Sequence, residues 1–183
     1  MAYQDDIKKA AALLLPWNKL SGCNILVTGA TGLIGGCLVD VLMAHKGRNY
    51  NVYASGRNEE RAGRRFLKYA DDNAFHFVKY DVAQPLEYDV NFQYIIHAAS
   101  GAYPEEFIKH PVEVIKGNIN GLDNLMGYGI QHGIKRLLYI SSGEVYGEGD
   151  GRVFTENYSG YVDCTSLRSC YPSSKRAAET LCI

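Results

Sequence analysis

Apolar positions along this chain follow two periods. Five short runs, Asn24 to Thr28, Asn51 to Ser55, Ala74 to Lys79, Gln93 to His97 and Leu137 to Ser141, are too short for helices and are rich in β-branched or alternating apolar residues, so they predict strands. Between them apolar residues recur at helical spacing. Leu38, Val39, Val41 and Leu42 follow the first run, a basic stretch from Glu59 to Tyr69 follows the second, and Glu105 to about Gln131 precedes the fifth, with breaks expected at Pro111 and Gly117. Strands alternating with helices, with no repeat or linker, predict an α/β fold of Rossmann type: a doubly wound parallel sheet with helices on both faces. Residues 2 to about 15 predict one more helix, stopped by Pro16. Residues 1–23 thus read as an N-terminal helical extension and 24–183 as one domain.

Composition narrows the class. A chain of 183 residues with 46% hydrophobic content buries one sizeable core. The net charge is −1 and the basic residues are scattered, which argues against a nucleic-acid partner. Asp5, Asp6, Lys8 and Lys9 precede only a short apolar run, Ala10 to Leu15, so neither a signal peptide nor a membrane span is expected. Five cysteines without a Cys-x-x-Cys pair read as reduced thiols of a cytoplasmic protein, with no metal site and no disulfide framework.

The densest chemical signal is Gly29-x-x-Gly32-x-x-Gly35 between the first strand and its helix. Glycine there allows a tight turn, close approach of backbone to a diphosphate, and close packing of helix on strand. The phosphates then sit on the helix N-terminus, where unpaired N–H groups and the dipole favour anions. Gly29, Thr31, Gly32, Leu33, Ile34 and Gly35 are therefore the expected cofactor contacts, the alternative being a glycine-rich turn with no ligand. The second strand ends in Gly56-Arg57-Asn58, where NAD-binding folds carry an acid for the ribose hydroxyls. With the acid missing and Arg57 present, NAD(P) is expected with NADP favoured over NAD, unless Arg57 is a solvated loop charge. Asp81, just past the third strand, stands where a carboxylate could accept from an adenine amino group, or where turn chemistry alone would put an aspartate. Ala98-Ala99-Ser100-Gly101 closes the fourth strand where a cofactor would cross the sheet edge.

Two further stretches carry chemistry. Ser141-Ser142-Gly143-Glu144-Val145-Tyr146-Gly147 lies at the carboxyl edge of the fifth strand, where open α/β sheets bind ligands. Tyr171-Pro172-Ser173-Ser174-Lys175 opens a helix and puts Tyr171 and Lys175 on one face. With fourteen tyrosines such a pair arises by chance about once, so its position after the glycine turn and the strand-end serines supplies the specificity.

Taken in this order, the motifs resemble those of the extended short-chain dehydrogenases/reductases that act on nucleotide sugars, the NAD-dependent epimerase/dehydratase family. The resemblance rests on the glycine turn, Asp81-Val82, His97-Ala98-Ala99, Asn118 with Gly121, Ser141 to Gly147, and Tyr171-x-x-x-Lys175. Within the family, Arg168-Ser169-Cys170-Tyr171 with Lys175 to Cys182 looks most like the UDP-glucuronate decarboxylases (UDP-xylose synthases).

The resemblance implies cofactor contacts from Val82, Ala98, Ala99, Ser100, Asn118, Ser141, Tyr171 and Lys175. It also implies a catalytic set of Ser142, Glu144, Tyr171 and Lys175 acting on a UDP- or dTDP-sugar. Tyr171 as phenolate would take the proton of the C4 hydroxyl, and Lys175 would favour that phenolate, since a phenol near pKa about 10 is a poor base at neutral pH. Ser142 would hydrogen-bond the same oxygen. The sugar 4,6-dehydratases of the family pair an aspartate with the glutamate. Gly143 stands in that place here, which argues for decarboxylation or epimerisation over dehydration, with Glu144 as a mere polar loop residue the alternative. A homodimer is implied through the helices of Glu105 to Gln131 and Tyr171 onward, because Phe107, Val112, Val114, Ile115, Leu122 and Leu125 exceed what one sheet face needs. Relatives carry a later half that shapes the sugar pocket, so the C-terminal substrate lobe is expected to be absent, with cofactor binding but no turnover. A reductase consuming NADPH and a non-catalytic dinucleotide-binding module are the other two readings.

Overall fold

In the computed structural model, which describes residues 2–183, five parallel strands stand in the order β3-β2-β1-β4-β5. They are β1 (Asn24–Thr28), β2 (Asn51–Gly56), β3 (Phe75–Lys79), β4 (Tyr94–His97) and β5 (Arg136–Tyr139). Alternation along β1 sends Ile25 and Val27 to one face, where Val39, Leu42 and Met43 of α2 (Leu33–Ala44) and Ala62 and Phe66 of α3 (Glu59–Phe66) cover them. Leu26 points to the other face and packs with Phe92, Ile95 and with Leu125 and Tyr128 of α5 (Pro111–Gln131). Each such fully buried aliphatic or aromatic side chain contributes about 1.5–3 kcal/mol. Helix α6 (Cys170–Leu181) lies against α5 on that second face.

The chain winds outward from β1 to β3 and then returns to the far side of β1 to form β4, so the order reverses between β1 and β4. The helix–strand alternation expected from the sequence fails on this return, because residues 80–93 form no helix. Local bonds of turn type hold the segment instead. Ala83 N donates to Asp81 Oδ1 at 3.1 Å and Tyr80 Oη donates to Gln84 O at 2.9 Å, and Pro85 follows at once.

Three element boundaries differ from expectation. The first helix, α1 (Ala2–Ala11), ends before Pro16 by several residues and leaves Leu13, Leu14 and Leu15 exposed, since the residue ahead of a proline is pushed out of the helical region. Pro111 does break the long helical stretch, ending α4 (Pro104–Lys109) and opening α5, but Gly117 does not. It faces open space, and its cost of about 1 kcal/mol relative to alanine is outweighed by burial of Leu122, Leu125 and Tyr128 on the same helix. Strand β5 stops at Tyr139, so Ser141 lies beyond the ladder.

Helix α1 is held on α2 by buried Ile7 and Ala11 and by Tyr3, whose hydroxyl donates to Asp40 Oδ2 at 2.6 Å. Asp40 is fully buried and also receives bonds from Arg65, from Lys68 Nζ at 2.9 Å and from Tyr69 Oη at 2.9 Å. Burial alone would raise its carboxyl, and these four donors outweigh burial and hold it at about 2.

Candidate active site

The glycine turn does two separate jobs. Gly29 has φ of +64°, and a Cβ there would sit 2.7 Å from the backbone of Ala98 and Ala99 at the end of β4. A Cβ on Gly35 would come within 2.4 Å of Gly29 O, so this glycine lets α2 start tight against β1. Gly32 is different: its φ is −81°, and an added Cβ would meet only Gly29 O, at 3.2 Å. It caps α2 without any side-chain acceptor, and Leu33 and Ile34 just beyond it are exposed. The first-turn N–H groups are therefore available to a diphosphate at the carboxyl edge of the sheet, which is where the residues fit a dinucleotide. Thr31 faces Gly56 across this edge, its side chain 3.6 Å from where a Cβ on Gly56 would lie. Arg57 is exposed and makes no ion pair among the described residues. Asp81 gives one carboxylate oxygen to its own turn. Beside it, Val82 lies under Gly121 of α5, where a Cβ would come within 3.0 Å of its side chain, and Asn124 Nδ2 donates to Val82 O at 3.0 Å.

Asn118, buried on α5, ties the end of β4 to α6. Its Oδ1 accepts from Ser100 Oγ at 2.8 Å and its Nδ2 donates to Ser174 Oγ at 2.9 Å, while Ser174 Oγ donates to Tyr171 O at 3.0 Å. Ala98 and Ala99 sit between these groups, with Ala99 N donating to Thr28 Oγ1 at 3.4 Å.

Helix α6 presents Tyr171 and Lys175. The Tyr171 ring stacks on Phe107 of α4 with centroids 4.6 Å apart. Lys175 is only 2% exposed; its Nζ donates to Ile140 O at 2.8 Å and lies 4.4 Å from the Tyr139 ring centroid and 5.8 Å from that of Tyr171. Burial pushes its ammonium down to about 8. The strand-end loop meets this helix directly. Ser142 Oγ accepts from Glu144 N at 3.3 Å and opens a 3₁₀ turn, Gly143–Tyr146, which leaves the Ser142 hydroxyl proton able to donate elsewhere. Arg176 Nε donates to Val145 O at 2.6 Å and Arg176 Nη2 to Gly160 O at 2.9 Å, which fastens the turn to α6. The Glu144 carboxylate is gripped at both oxygens by Arg168, whose guanidinium lies 5.4 Å from the Phe107 ring. Ser141 Oγ is buried without a partner among the described residues. A cavity of about 420 Å³ opens beside these groups, lined by Glu144, Tyr161, Asp163, Ser166 and Arg168 among others.

Two features of this edge were not apparent in the sequence. His97 is buried on β4 with Nδ1 2.7 Å from Thr28 Oγ1, and burial, with Lys175 nearby, pushes it down to about 4. Arg168 entered only through a motif, and its grip on Glu144 joins residues with no helical or strand periodicity between them.

Residues 25–183 match the sequence profile of the NAD dependent epimerase/dehydratase family. The chain belongs to this family. It is 37% identical over 164 residues to UDP-glucuronic acid decarboxylase 6 of Arabidopsis thaliana, covering 88% of this chain and 46% of that protein. The chain thus spans about half the length of this curated relative. Among solved structures, the UDP-Glc/GlcNAc 4-epimerase of Campylobacter jejuni superposes with a TM-score of 0.70 at 21% identity, over 87% of this chain and 48% of that one. The dTDP-glucose 4,6-dehydratase of Bacillus anthracis, solved in complex with NAD, does so with a TM-score of 0.69 at 22% identity, over 87% and 49%. At these identities the two structures speak for the fold alone. No helix among the described residues is long and apolar enough to cross a membrane.

Proposed function

We propose that this family member is the dinucleotide-binding and catalytic half of a nucleotide-sugar enzyme that oxidises its substrate transiently at C4, most like a UDP-glucuronate decarboxylase. The observation that supports the reading is that the uncapped N-terminus of α2 follows the carboxyl end of β1, while the Lys175 bond to Ile140 O and the Arg176 bond to Val145 O tie α6 to the segment following β5 in the same parallel sheet. The 37% identity to a UDP-glucuronic acid decarboxylase supports the choice within the family.

In this reading the Gly29–Gly35 turn holds the diphosphate, and Asp81 and Val82 flank the adenine. Ser100, Asn118 and Ser141 line the nicotinamide side. Bound nicotinamide supplies the hydride acceptor. Tyr171 Oη takes the proton of the sugar C4 hydroxyl, and the neighbouring Lys175 ammonium favours the phenolate over the phenol. Ser142 donates to the same sugar oxygen and steadies it. Carbon dioxide loss from a 4-keto uronate needs no acid to assist a leaving hydroxide, which suits Gly143. Glu144, held by Arg168, is then the group beside the C5 side of the sugar. Arg57 and the absence of a carboxylate at Gly56 favour NADP, and they are the one observation supporting the reductase alternative. We place the protein in the cytoplasm as a homodimer.

The test incubates the chain with NAD or NADP and UDP-glucuronate, with UDP-glucose and dTDP-glucose alongside, and follows reduced nicotinamide and sugar products. Holding the sugar against both Tyr171 and the nicotinamide is worth on the order of 7–11 kcal/mol, and the chain covers about half of its relative. The expected result is therefore bound dinucleotide with turnover far below about one per second. Turnover of that order would overturn the view that a facing lobe is needed, and in a parallel incubation with added NADPH and a 4-keto nucleotide sugar, stoichiometric consumption of NADPH would establish the reductase.

A further inference from the structure

We infer that Tyr139, at the end of β5, is a positioning residue for Lys175: its ring seats the buried ammonium and aims it at the Ile140 carbonyl. Lys175 has no carboxylate within salt-bridge distance among the described residues, and its one hydrogen bond is to Ile140 O at 2.8 Å. An ammonium carries three donors, and a buried one with a single carbonyl partner is poorly compensated for its lost hydration. The nearest other attraction is the Tyr139 ring, whose centroid lies 4.4 Å from Nζ, within the range of a cation–π contact and closer than the Tyr171 ring at 5.8 Å.

The sheet fixes this seat. Thr28 pairs with His97 across β1 and β4, and His97 pairs with Tyr139 across β4 and β5, so the three side chains form a row under α5 and α6. Tyr139 Oη is buried without a partner among the described residues, and burial raises its phenol, so the ring stays neutral. The groups facing the ammonium are Tyr139 from β5, His97 from β4, and Tyr171 and Glu179 from α6, with Cys182 just beyond the helix acting on Tyr139. Burial keeps His97 neutral at neutral pH, so no second positive charge competes. Glu179 favours the ammonium but forms no ion pair with it. Removing the ring would leave Lys175 buried with one carbonyl and a distant carboxylate. The amine would then lose its proton more readily and be less able to support a Tyr171 phenolate. The use made of Lys175 rests on the proposed function; the seat itself does not.

The test is NMR of the chain with labelled lysine, following the Lys175 Cε shift from about pH 5 to about pH 10 without dinucleotide, the signal assigned with Lys175→Met. Wild type should titrate near about 8. Tyr139→Phe keeps the ring and should titrate with it, whereas Tyr139→Leu should move the midpoint down by about one unit, a tenfold loss of proton affinity. Tyr139→Met, closer in volume, gives the same reading should the leucine variant unfold, and far-UV dichroism at each pH verifies that the fold persists. An unchanged midpoint in the leucine or methionine variant would overturn the inference. So would a phenylalanine variant that shifts as far as leucine, since the hydroxyl rather than the ring would then matter. Because no dinucleotide or sugar is present, failure here is separate from failure of the functional reading.

Discussion

Arg168 grips Glu144 with both prongs of its guanidinium, Nη1 to Oε2 at 2.9 Å and Nη2 to Oε1 at 2.8 Å, while lying over the ring on which Tyr171 stacks. The two residues that flank the proposed sugar site are thus joined by one arginine and one phenylalanine. Both side chains are substantially exposed, at 53% and 35%, so the pair adds little stability. Arg168→Gln should lower unfolding free energy by less than about 1 kcal/mol and leave dinucleotide affinity unchanged. In a catalytically competent form it should depress product formation by freeing the Glu144 carboxylate to rotate. Urea unfolding and dinucleotide titration check the first two points. A loss above about 2 kcal/mol would mean that the pair has a structural role instead.

Cofactor choice should turn on one position. A Cβ on Gly56 would meet the Thr31 side chain at 3.6 Å and the Phe77 ring at 4.0 Å, both ordinary van der Waals contacts, so an aspartate can be accommodated there. Gly56→Asp should shift preference from NADP towards NAD, because the new carboxylate accepts from ribose hydroxyls and repels a 2′-phosphate beside Arg57. Competition between the two dinucleotides is the measurement. Wild type that binds NAD at least about tenfold more tightly than NADP would show that Arg57 does not read the phosphate.

Stability should fall on the acid side in two steps. His97 is held at about 4 against an ordinary 6.5, so the unfolded chain takes up its proton at higher pH than the native protein. Its contribution is complete above pH 6.5 and is lost as pH falls from there towards 4. Asp40, held at about 2 against 3.8, adds a second loss between those values. Urea midpoints across this range should decline, at up to about 1.4 kcal/mol per pH unit for one proton. His97→Gln should flatten the upper step, and the same slope in that variant would remove His97 from the explanation.

The dimer expectation needs a smaller contact than the sequence implied. Phe107, Val114, Leu122 and Leu125 are buried within the chain, and only Val112 and Ile115 of the six remain exposed, at 53% and 37%. Val112→Glu should therefore abolish a dimer seen by light scattering without affecting the fold. Wild type that is monomeric at high concentration would contradict the pairing.

What could be read from the sequence was local. The strand runs and the glycine turn depend on residues within a few positions of one another, so their chemistry shows in the order of letters. Gly117 misled because its cost of about 1 kcal/mol in a helix is outweighed by the packing of α5. The return from β3 to β4 carries no helix because of Asp81 and Pro85, local signals that the expectation of a regular strand–helix alternation passed over. The row of Thr28, His97 and Tyr139 depends on register between strands far apart in sequence. The four donors around Asp40 likewise come from two segments remote from it in sequence, Tyr3 on α1 and the stretch from Arg65 to Tyr69. No periodicity in one strand or helix encodes such pairings.

The central claim is that the α2 N-terminus holds the diphosphate of a nicotinamide dinucleotide. Isothermal titration of NAD and NADP into wild type and Gly32→Val tests it most directly, because Gly32 has an ordinary φ and a Cβ there would meet only Gly29 O, at 3.2 Å. Valine should leave the melting temperature within a few degrees of wild type, roughly the effect of 1 kcal/mol, yet stand where the phosphates approach. The expected result is one saturable site per chain in wild type and at least about hundredfold weaker binding in the variant. Equal affinity in the two proteins, or no binding by wild type, would contradict the account.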